Sequence, residues 1–451
     1  MAGKEEISPS IIIRRLEGIK GTSTLIMVAL IIASLSMFFD GFDTFLTSYA
    51  LPGIRATFKP PSPIYLALVI AITTAGMFVG SLLWPTISDR IGRKPAFSWS
   101  IIIYSLGTAA SAAAPNLAAL YAIRFVAGLG IGGLIPIANT YIVEYAPARL
   151  RAKLQPFIPT LFTVGWFAAS AAGLFIEPYY GWRVLYLLGV IPAILVVFIW
   201  RYLPESVRYL LRKGDLEGAS RILDRVGAPP AREVVVTDNE VEVATKPKFR
   251  ELYAKEYRLR TALLSIAYFM IFATTYGFSA LLPTVLSGPP YNMPVTISFT
   301  YSMIANIGAV VLSLTAIVSL DSLGRKGSGF MYSIITAVAF LAVGLVSPAK
   351  MLPLFLMLIF LTQAFNATVV AVNMWSAELY PTRMRATAEG HNMSWGRIGG
   401  IVIPLTAGYI LAAFTNKYYL FLLFAILNII AAATFPFLTE TRRKVLEKIA
   451  R

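Results

Sequence analysis

The sequence predicts an all-α integral membrane protein: twelve transmembrane helices arranged as two six-helix halves. Three observations carry this reading: apolar runs of membrane-crossing length, a one-sided distribution of basic residues, and two loop motifs that each occur twice. Of the 451 residues, 57% are hydrophobic and 14% charged, whereas soluble domains carry about 25% charged residues. The apolar residues fall in runs of about 20, the length a helix needs to cross roughly 30 Å of hydrocarbon. These runs lie at 24–52, 64–87, 95–114, 117–143, 154–176 and 182–203, then at 259–285, 295–319, 328–347, 351–376, 387–414 and 418–438. The first is too long for a cleaved signal segment and carries Asp40 and Asp43 inside it.

With the amino terminus in the cytoplasm, 32 of the 39 lysines and arginines fall on inside loops and termini. The outside loops hold only Arg55, Lys59, Arg183, Lys350 and Lys417. Such a bias predicts a multi-pass protein of the cell membrane with both termini cytoplasmic. The net charge of +16 then faces the anionic inner leaflet, and no nucleic-acid partner is needed to explain it. The absence of cysteine and the single histidine exclude disulfides, thiolate metal sites and multi-histidine metal centres. The chain divides into an amino-terminal half (1–203), a cytoplasmic connector (204–258) and a carboxy-terminal half with its tail (259–451). The connector holds Pro229, Pro230 and a helical run over Asp215–Val226.

Two loop motifs recur at nearly one offset. Ser88-Asp89-Arg90-Ile91-Gly92-Arg93-Lys94 is echoed by Leu320-Asp321-Ser322-Leu323-Gly324-Arg325-Lys326, 232 positions later. Glu144-Tyr145-Ala146-Pro147-Ala148-Arg149-Leu150-Arg151-Ala152 is echoed by Glu378-Leu379-Tyr380-Pro381-Thr382-Arg383-Met384-Arg385-Ala386, 234 positions later. Each pair sits between equivalent spans, and an even number of helices separates the copies. The halves therefore share one orientation and are related by a parallel pseudo-twofold along the membrane normal.

Asp-Arg-x-Gly-Arg-Lys after the second span resembles the signature of the major facilitator superfamily, and the resemblance covers the whole chain. Arg124-x-x-x-Gly128-x-Gly130, Gly181-Trp182-Arg183 and Pro204-Glu205-Ser206-x-Arg208 extend it. Thr439-Glu440-Thr441 resembles the Pro-Glu-Thr of sugar porters without the proline, and Pro85 stands where the first motif usually has glycine. The resemblance implies the major facilitator fold and secondary transport by alternating access. It also implies that Asp89, Arg90, Arg93 and Glu144, with Asp321, Arg325 and Glu378 in the second half, latch the two halves together when the cavity faces outward. The plainer alternative is that these basic loops serve orientation alone.

A charge at bilayer depth costs about 2.5–3.5 kcal/mol even on lenient scales, so each one needs a partner or a task. Asp40 and Asp43, three residues apart, share one face of the first helix. Arg124 lies at a matching depth in the fourth span, and the resemblance makes both helices line the cavity. An Asp–Arg pair there forms a proton switch or a static salt bridge. In the eleventh span Arg397 binds a substrate anion or pairs structurally, while Glu389 and His391 lie nearer its start. The run Gly128–Gly133 lacks a preceding strand, so it reads as close helix packing and not as a dinucleotide loop. Tyr276, Trp375 and Asn373 join Arg124 and Arg397 as candidate substrate contacts; Phe38, Phe39, Trp166 and Tyr268 are further aromatics.

Asp40-Gly41-Phe42-Asp43, Leu282-Pro283-Thr284 and Gly396-Arg397-Ile398-Gly399 resemble the aromatic and organic acid:proton symporters. Carried over, Asp40 and Asp43 serve proton coupling, and Arg124 and Arg397 bind anion. The alternative is a proton-coupled sugar symporter, since Gly41-Phe42-Asp43-Thr44 also resembles the first helix of sugar porters. An enzyme lacks support, because His391 has no nucleophile partner. No phosphate-binding Gly-x-x-x-x-Gly-Lys loop exists for ATP, and no pore-filter repeat argues for a channel. The reading carries no cofactor and no metal; its partners are a small-molecule substrate, protons and lipid, with one chain as the working unit.

Overall fold

The computed structural model describes residues 8–19, 23–145, 148–230, 249–289, 291–381, 384–414 and 416–442. Helices account for nearly all of it, and no β-strand occurs among the described residues. A short helix α1 (Pro9–Glu17) precedes α2 (Thr24–Phe58), α3 (Ile64–Ile91), α4 (Arg93–Ser111), α5 (Leu117–Tyr145), α6 (Ala148–Leu187) and α7 (Ile194–Tyr202). The connector forms α8 (Val207–Arg212) and α9 (Leu216–Val226). The second half holds α10 (Arg258–Thr274), α11 (Ala280–Ser287), α12 (Val295–Ser322), α13 (Gly324–Leu345), α14 (Leu352–Thr362), α15 (Phe365–Glu378), α16 (Arg385–Ala413) and α17 (Tyr418–Thr434).

These helices make twelve crossings. Ten helical stretches are long and apolar enough to span a membrane. One of them, Thr160–Tyr202, has 43 residues, about 65 Å of helix and twice a bilayer core. It breaks at Gly181, whose φ of 82° is non-helical, and so makes the fifth and sixth crossings. The third is α4, whose opening Arg93-Lys94-Pro95 dilutes its apolar character. The first crossing overruns its apolar run to Phe58, where Lys59 takes a left-handed conformation at φ 45° and Pro60-Pro61 follow.

An even number of crossings puts both ends of the chain, and the connector, on one face, here called the terminal side. There α1 lies against the connector. Ile12 and Leu16 pack with Leu223 and Val226, and Arg15 donates to Asp224 at 2.5 Å, Ser220 at 3.0 Å and the Pro229 carbonyl at 2.8 Å. Asp215 caps α9 by accepting from the Gly218 amide at 2.8 Å, which is why the helical run starts there. In α5 the glycine run lets backbones touch. A Cβ on Gly128 would lie 2.2 Å from the Thr73 carbonyl oxygen of α3, and one on Gly130 2.5 Å from the Tyr104 amide of α4.

The cores show how the halves meet. On the far side one continuous apolar core joins Tyr49, Leu51 and Ile54 of α2 to Leu281 and Val285 of α11 and Phe299 of α12. Asn306 of α12 donates to the Tyr49 hydroxyl at 2.8 Å across this seam. On the terminal side the described residues form separate cores. One gathers Leu30, Phe97 and Ile199 of the first half; the other gathers Tyr268, Trp375 and Phe435 of the second. The seam is therefore sealed at the far side, and the halves part toward the terminal side.

Tyr49→Phe removes the acceptor of a buried amide at this seal, a loss of about 1–3 kcal/mol. Because the chain has no cysteine, a single Leu281→Cys in the seal core reports seal opening cleanly. Its maleimide labelling rate should rise several-fold in Tyr49→Phe; an unchanged rate would show that this bond does not hold the seal.

Candidate functional site

Asp40 and Asp43 of α2 and Arg124 of α5 have no solvent exposure, and Arg397 of α16 is 2% exposed. Four buried ionisable groups in one bundle demand an electrostatic account, since burial removes the hydration of each ion. Arg124 is fixed from three sides. It donates Nη1 to Thr108 of α4 at 3.0 Å and Nε to Thr73 of α3 at 3.4 Å, and its guanidinium lies 5.3 Å from the Tyr186 ring centre. Its Nη2 is 3.6 Å from Asp43 Oδ2, close enough for strong attraction but too long for a hydrogen bond. Both Asp43 oxygens and Arg124 Nη2 have no hydrogen-bond partner.

The second acid is oriented differently. Thr44 donates to Asp40 Oδ1 at 3.2 Å, one helical turn along, while Oδ2 has no partner. The cation acting on Asp40 is Arg397, from the other half. Arg397 Nε and Nη1 are buried without partners, and no direct ion pair joins the two side chains among the described residues. Each half thus buries an ion of opposite charge, Asp40 in the first and Arg397 in the second, with hydrogen-bonding capacity unused on both. Native interiors rarely leave such groups unmet.

An aromatic column adjoins these charges. Trp166 of α6 stacks on Phe45 of α2 with centroids 4.0 Å apart, and Phe45 faces Tyr276 at 6.2 Å and 6°. Tyr276 continues to Phe272 at 6.3 Å and Phe272 to Tyr268 at 5.6 Å. The column crosses from one half to the other. Tyr276 lies on a π-helical turn, Thr275–Ser279, that joins α10 to α11; such turns recur at functional sites. Its ring rests against Gly400 of α16, where an added Cβ would stand 2.6 Å away. Trp166 Nε1 is buried without a partner.

The remaining candidates fall elsewhere. Asn373 accepts from the Tyr268 hydroxyl at 2.8 Å, at the end of the column. Trp375 sits in the terminal-side core, donating to the Thr439 carbonyl at 2.9 Å and stacking on Phe435, apart from the buried charges. His391 lies within 3.2 Å of the Tyr253 hydroxyl and of Ser265 Oγ, on the terminal side. Phe38 and Phe39 contact each other edge to face at 5.3 Å. Phe45, Thr44, Thr108 and Tyr186 are the residues that sequence reasoning passed over. Thr44 alone had a signal, standing four residues after Asp40 on the same helix face.

The duplicated loops show a matched architecture. In the first half Asp89 pairs with Arg93 at 2.6 Å and with Arg212 of the connector at 2.9 Å; Arg93 also donates to Ser88 at 2.6 Å. In the second half Arg325 forks onto Glu378 at 2.6 and 2.9 Å, and Thr441 donates to the same carboxylate. Tyr209 donates to the Arg90 carbonyl at 3.2 Å, and Asp321 is exposed. These contacts join elements within one half or its connector. The side chain of Glu144, the counterpart of Glu378, lies outside the described residues, as do Thr382 and Arg383.

One more repeat emerges in space. Glu205 accepts from the amides of Arg93 at 2.8 Å and Lys94 at 3.3 Å. Glu440 accepts from those of Arg325 at 3.1 Å and Lys326 at 2.9 Å. Each carboxylate crowns the amino terminus of the helix after the loop, where unpaired amides and the helix dipole favour an anion. Gly92 (φ 105°) and Gly324 (φ 81°) precede those helices, and a Cβ there would come within 2.4 and 2.7 Å of the respective glutamates.

Twelve crossings in two matched halves, sealed on one side over buried charges, define a membrane transporter and not an enzyme. A family model described as Sugar (and other) transporter matches residues 28–451, and the chain belongs to that family within the major facilitator superfamily. It is 30% identical over 426 residues to the niacin transporter NiaP of Acinetobacter baylyi, covering 93% of this chain and 95% of the relative. It is 29% identical over 385 residues to the 4-hydroxybenzoate transporter PcaK of the same organism, covering 82% of each. Among solved structures, the partially occluded inward-open xylose transporter XylE of E. coli superposes with a TM-score of 0.77 at 19% identity, covering 94% of this chain and all of that one; this shows the fold alone. The resemblance read from the motifs, to an aromatic-acid branch with sugar-porter-like features, is thereby met on both counts.

Burial pushes the Glu440 carboxyl up, but the amides of Arg442, Lys326, Arg325 and Thr441 outweigh it and hold the group below its ordinary value of 4.5. A depressed value contributes stability that is present above the unfolded value and lost as pH falls through the folded one. Glu440→Gln should lower the melting temperature by a few degrees at pH 7, the half-exposed site limiting the effect to about 1 kcal/mol. The gap between variant and parent should close as pH falls below about 4; a gap that persists there would refute the charge-assisted cap.

Proposed function

We propose that this chain carries a small organic acid, of the aromatic monocarboxylate kind, in symport with protons by alternating access. The observation that carries the reading is that Asp40 of one half and Arg397 of the other are both buried with unused hydrogen-bonding capacity. Relatives named for niacin and 4-hydroxybenzoate transport support the substrate class. The distribution of lysine and arginine supports a cytoplasmic terminal side, so the structure corresponds to an inward-facing state.

In this mechanism a charged Asp40 offsets Arg397. Protonating Asp40 removes that attraction and frees the guanidinium to take the carboxylate of the substrate, a geometry suited to two parallel hydrogen bonds. The aromatic ring of the substrate stacks in line with Phe45 and Tyr276. Asp43 and Arg124 repeat the same exchange within the first half: a proton on Asp43 loosens its hold on Arg124, which remains tied to Thr73 and Thr108. When the proton sits on Asp40 and Asp43 stays charged against Arg124, the acid anion on Arg397 leaves the site with no uncompensated ion, and the halves can rock past it. The loop networks of Asp89 and Arg325 then bias which state is favoured.

A proton-coupled sugar symporter is the second reading, favoured by the family description and the xylose-transporter fold. A neutral sugar would leave Arg124 and Arg397 without a new counter-charge, which ranks it below the acid. Proteoliposome uptake with an imposed inward proton gradient separates the two. Benzoate-type acids should accumulate and xylose or glucose should not. Asp43→Asn should abolish gradient-driven accumulation while sparing exchange of preloaded substrate, and Arg397→Ala should reduce uptake about tenfold or more, as expected for loss of a buried charged contact. Accumulation of a neutral sugar alone would overturn the proposal.

A further inference from the structure

At the far side, above the seal, a cavity of about 330 Å³ opens between the halves. Arg55 and Leu66 of the first half line it, together with Thr284, Gly288, Phe414 and Lys417 of the second. Its chemistry departs from that of the surrounding face. The sequence places only five lysines and arginines on this side, and two of them line this one cavity. No aspartate or glutamate lines it; the acid at the far end of α6, Glu177, is packed against Gly53 and Trp182 instead.

The two cations approach from opposite halves. Arg55, at the end of α2, reaches across the seam until its Nη1 lies 3.5 Å from where a Cβ on Gly288 would stand. Lys417 is only 8% exposed, and no ion pair is present for it or for Arg55 among the described residues. Burial first, and the neighbouring Arg55 second, push the Lys417 amine below its ordinary value. Thr284 adds a third polar group: its Oγ1 is buried without a hydrogen-bond partner, and the residue is 6% exposed. A guanidinium, an ammonium and an unpartnered hydroxyl thus converge, walled by Leu66, Phe414 and a run of prolines at 60, 61 and 63.

We propose that this cavity is a second anion site, separate from the buried charges below the seal, which takes a small organic carboxylate between Arg55 and Lys417. One carboxylate oxygen accepts from the Arg55 fork, and the other accepts from Lys417 and Thr284. The apolar walls suit the hydrocarbon or ring of the acid. The bound anion also cancels the repulsion between cations on opposite halves, so it favours the sealed far side. The choice of a carboxylate among anions rests on the proposed transport of organic acids; the convergence of donors does not.

The test uses full-length protein in detergent and acetic anhydride, a small neutral reagent that reacts with the uncharged amine. Modification of each lysine is read by peptide mass spectrometry. Millimolar benzoate should slow acetylation of Lys417 several-fold, while neutral benzamide should leave it unchanged. The exposed Lys59 serves as the internal control. Arg55→Gln, a change at an exposed side chain, should remove the protection without altering the fold. Equal acetylation of Lys417 with and without benzoate, with Lys59 reacting normally, would overturn the site. Protection in a protein that takes up no organic acid would leave this site standing and sink the transport reading. Uptake of benzoate without protection would sink this site alone.

Discussion

A carboxylate buried in one half of the molecule and a guanidinium buried in the other both lack a complete set of hydrogen bonds. Asp40 and Arg397 set the terms for the rest of the structure. An ion buried at bilayer depth is tolerated only with a partner, and under the proposed alternating access a partner across the seam cannot be permanent. The surrounding helices hold these buried ions in place. Thr44 orients Asp40 within its own helix, the π turn aims Tyr276 at the seam, and the glycine run of α5 draws α3 and α4 close around Arg124. The far-side core from Tyr49 to Phe299 closes over them and excludes water from one direction.

The loops perform a different task. Glu205 and Glu440 crown equivalent helices, with glycines of positive φ before each, so the duplication extends to a third element that the span pattern alone does not reveal. Within each half the loop charges join neighbouring helices and the connector into one unit. The arrangement suits rigid-body rocking, since a half that deformed internally would not carry its share of the site with it. The symmetry stops at the substrate. The Asp40, Asp43 and Arg124 set is not repeated in the second half, whose eleventh crossing carries Arg397 with Glu389 and His391 nearer its start; in the proposed mechanism the proton is handled by the first half and the anion is shared.

Much of this was legible in the chain. Apolar runs of the right length and the bias of basic residues marked the crossings, because lipid imposes those patterns on any helix that spans it. The Asp43–Arg124 contact could be anticipated from matching depths on two helices. Other features depend on packing that no local pattern encodes. The end of α2 at Phe58 is marked by Lys59 adopting a left-handed turn, and the unmet groups of Asp40 and Arg397 lie in opposite halves. Trp375, an aromatic in an apolar run, reads as a candidate substrate contact; in space its indole is committed to the Thr439 carbonyl. The convergence of Arg55, Thr284 and Lys417 brings together three segments far apart in sequence, and only the closed seam reveals it.

In the proposed mechanism, binding the acid and protonating a buried carboxylate are one event. This coupling is tested most directly by adding benzoate to the purified protein in weakly buffered detergent solution and following a pH indicator. The account predicts proton uptake as benzoate binds, abolished in Asp40→Asn and retained in Asp89→Asn, whose charge belongs to the loop network. Binding without proton uptake in the parent protein, or full uptake retained when Asp40 is replaced, would contradict it.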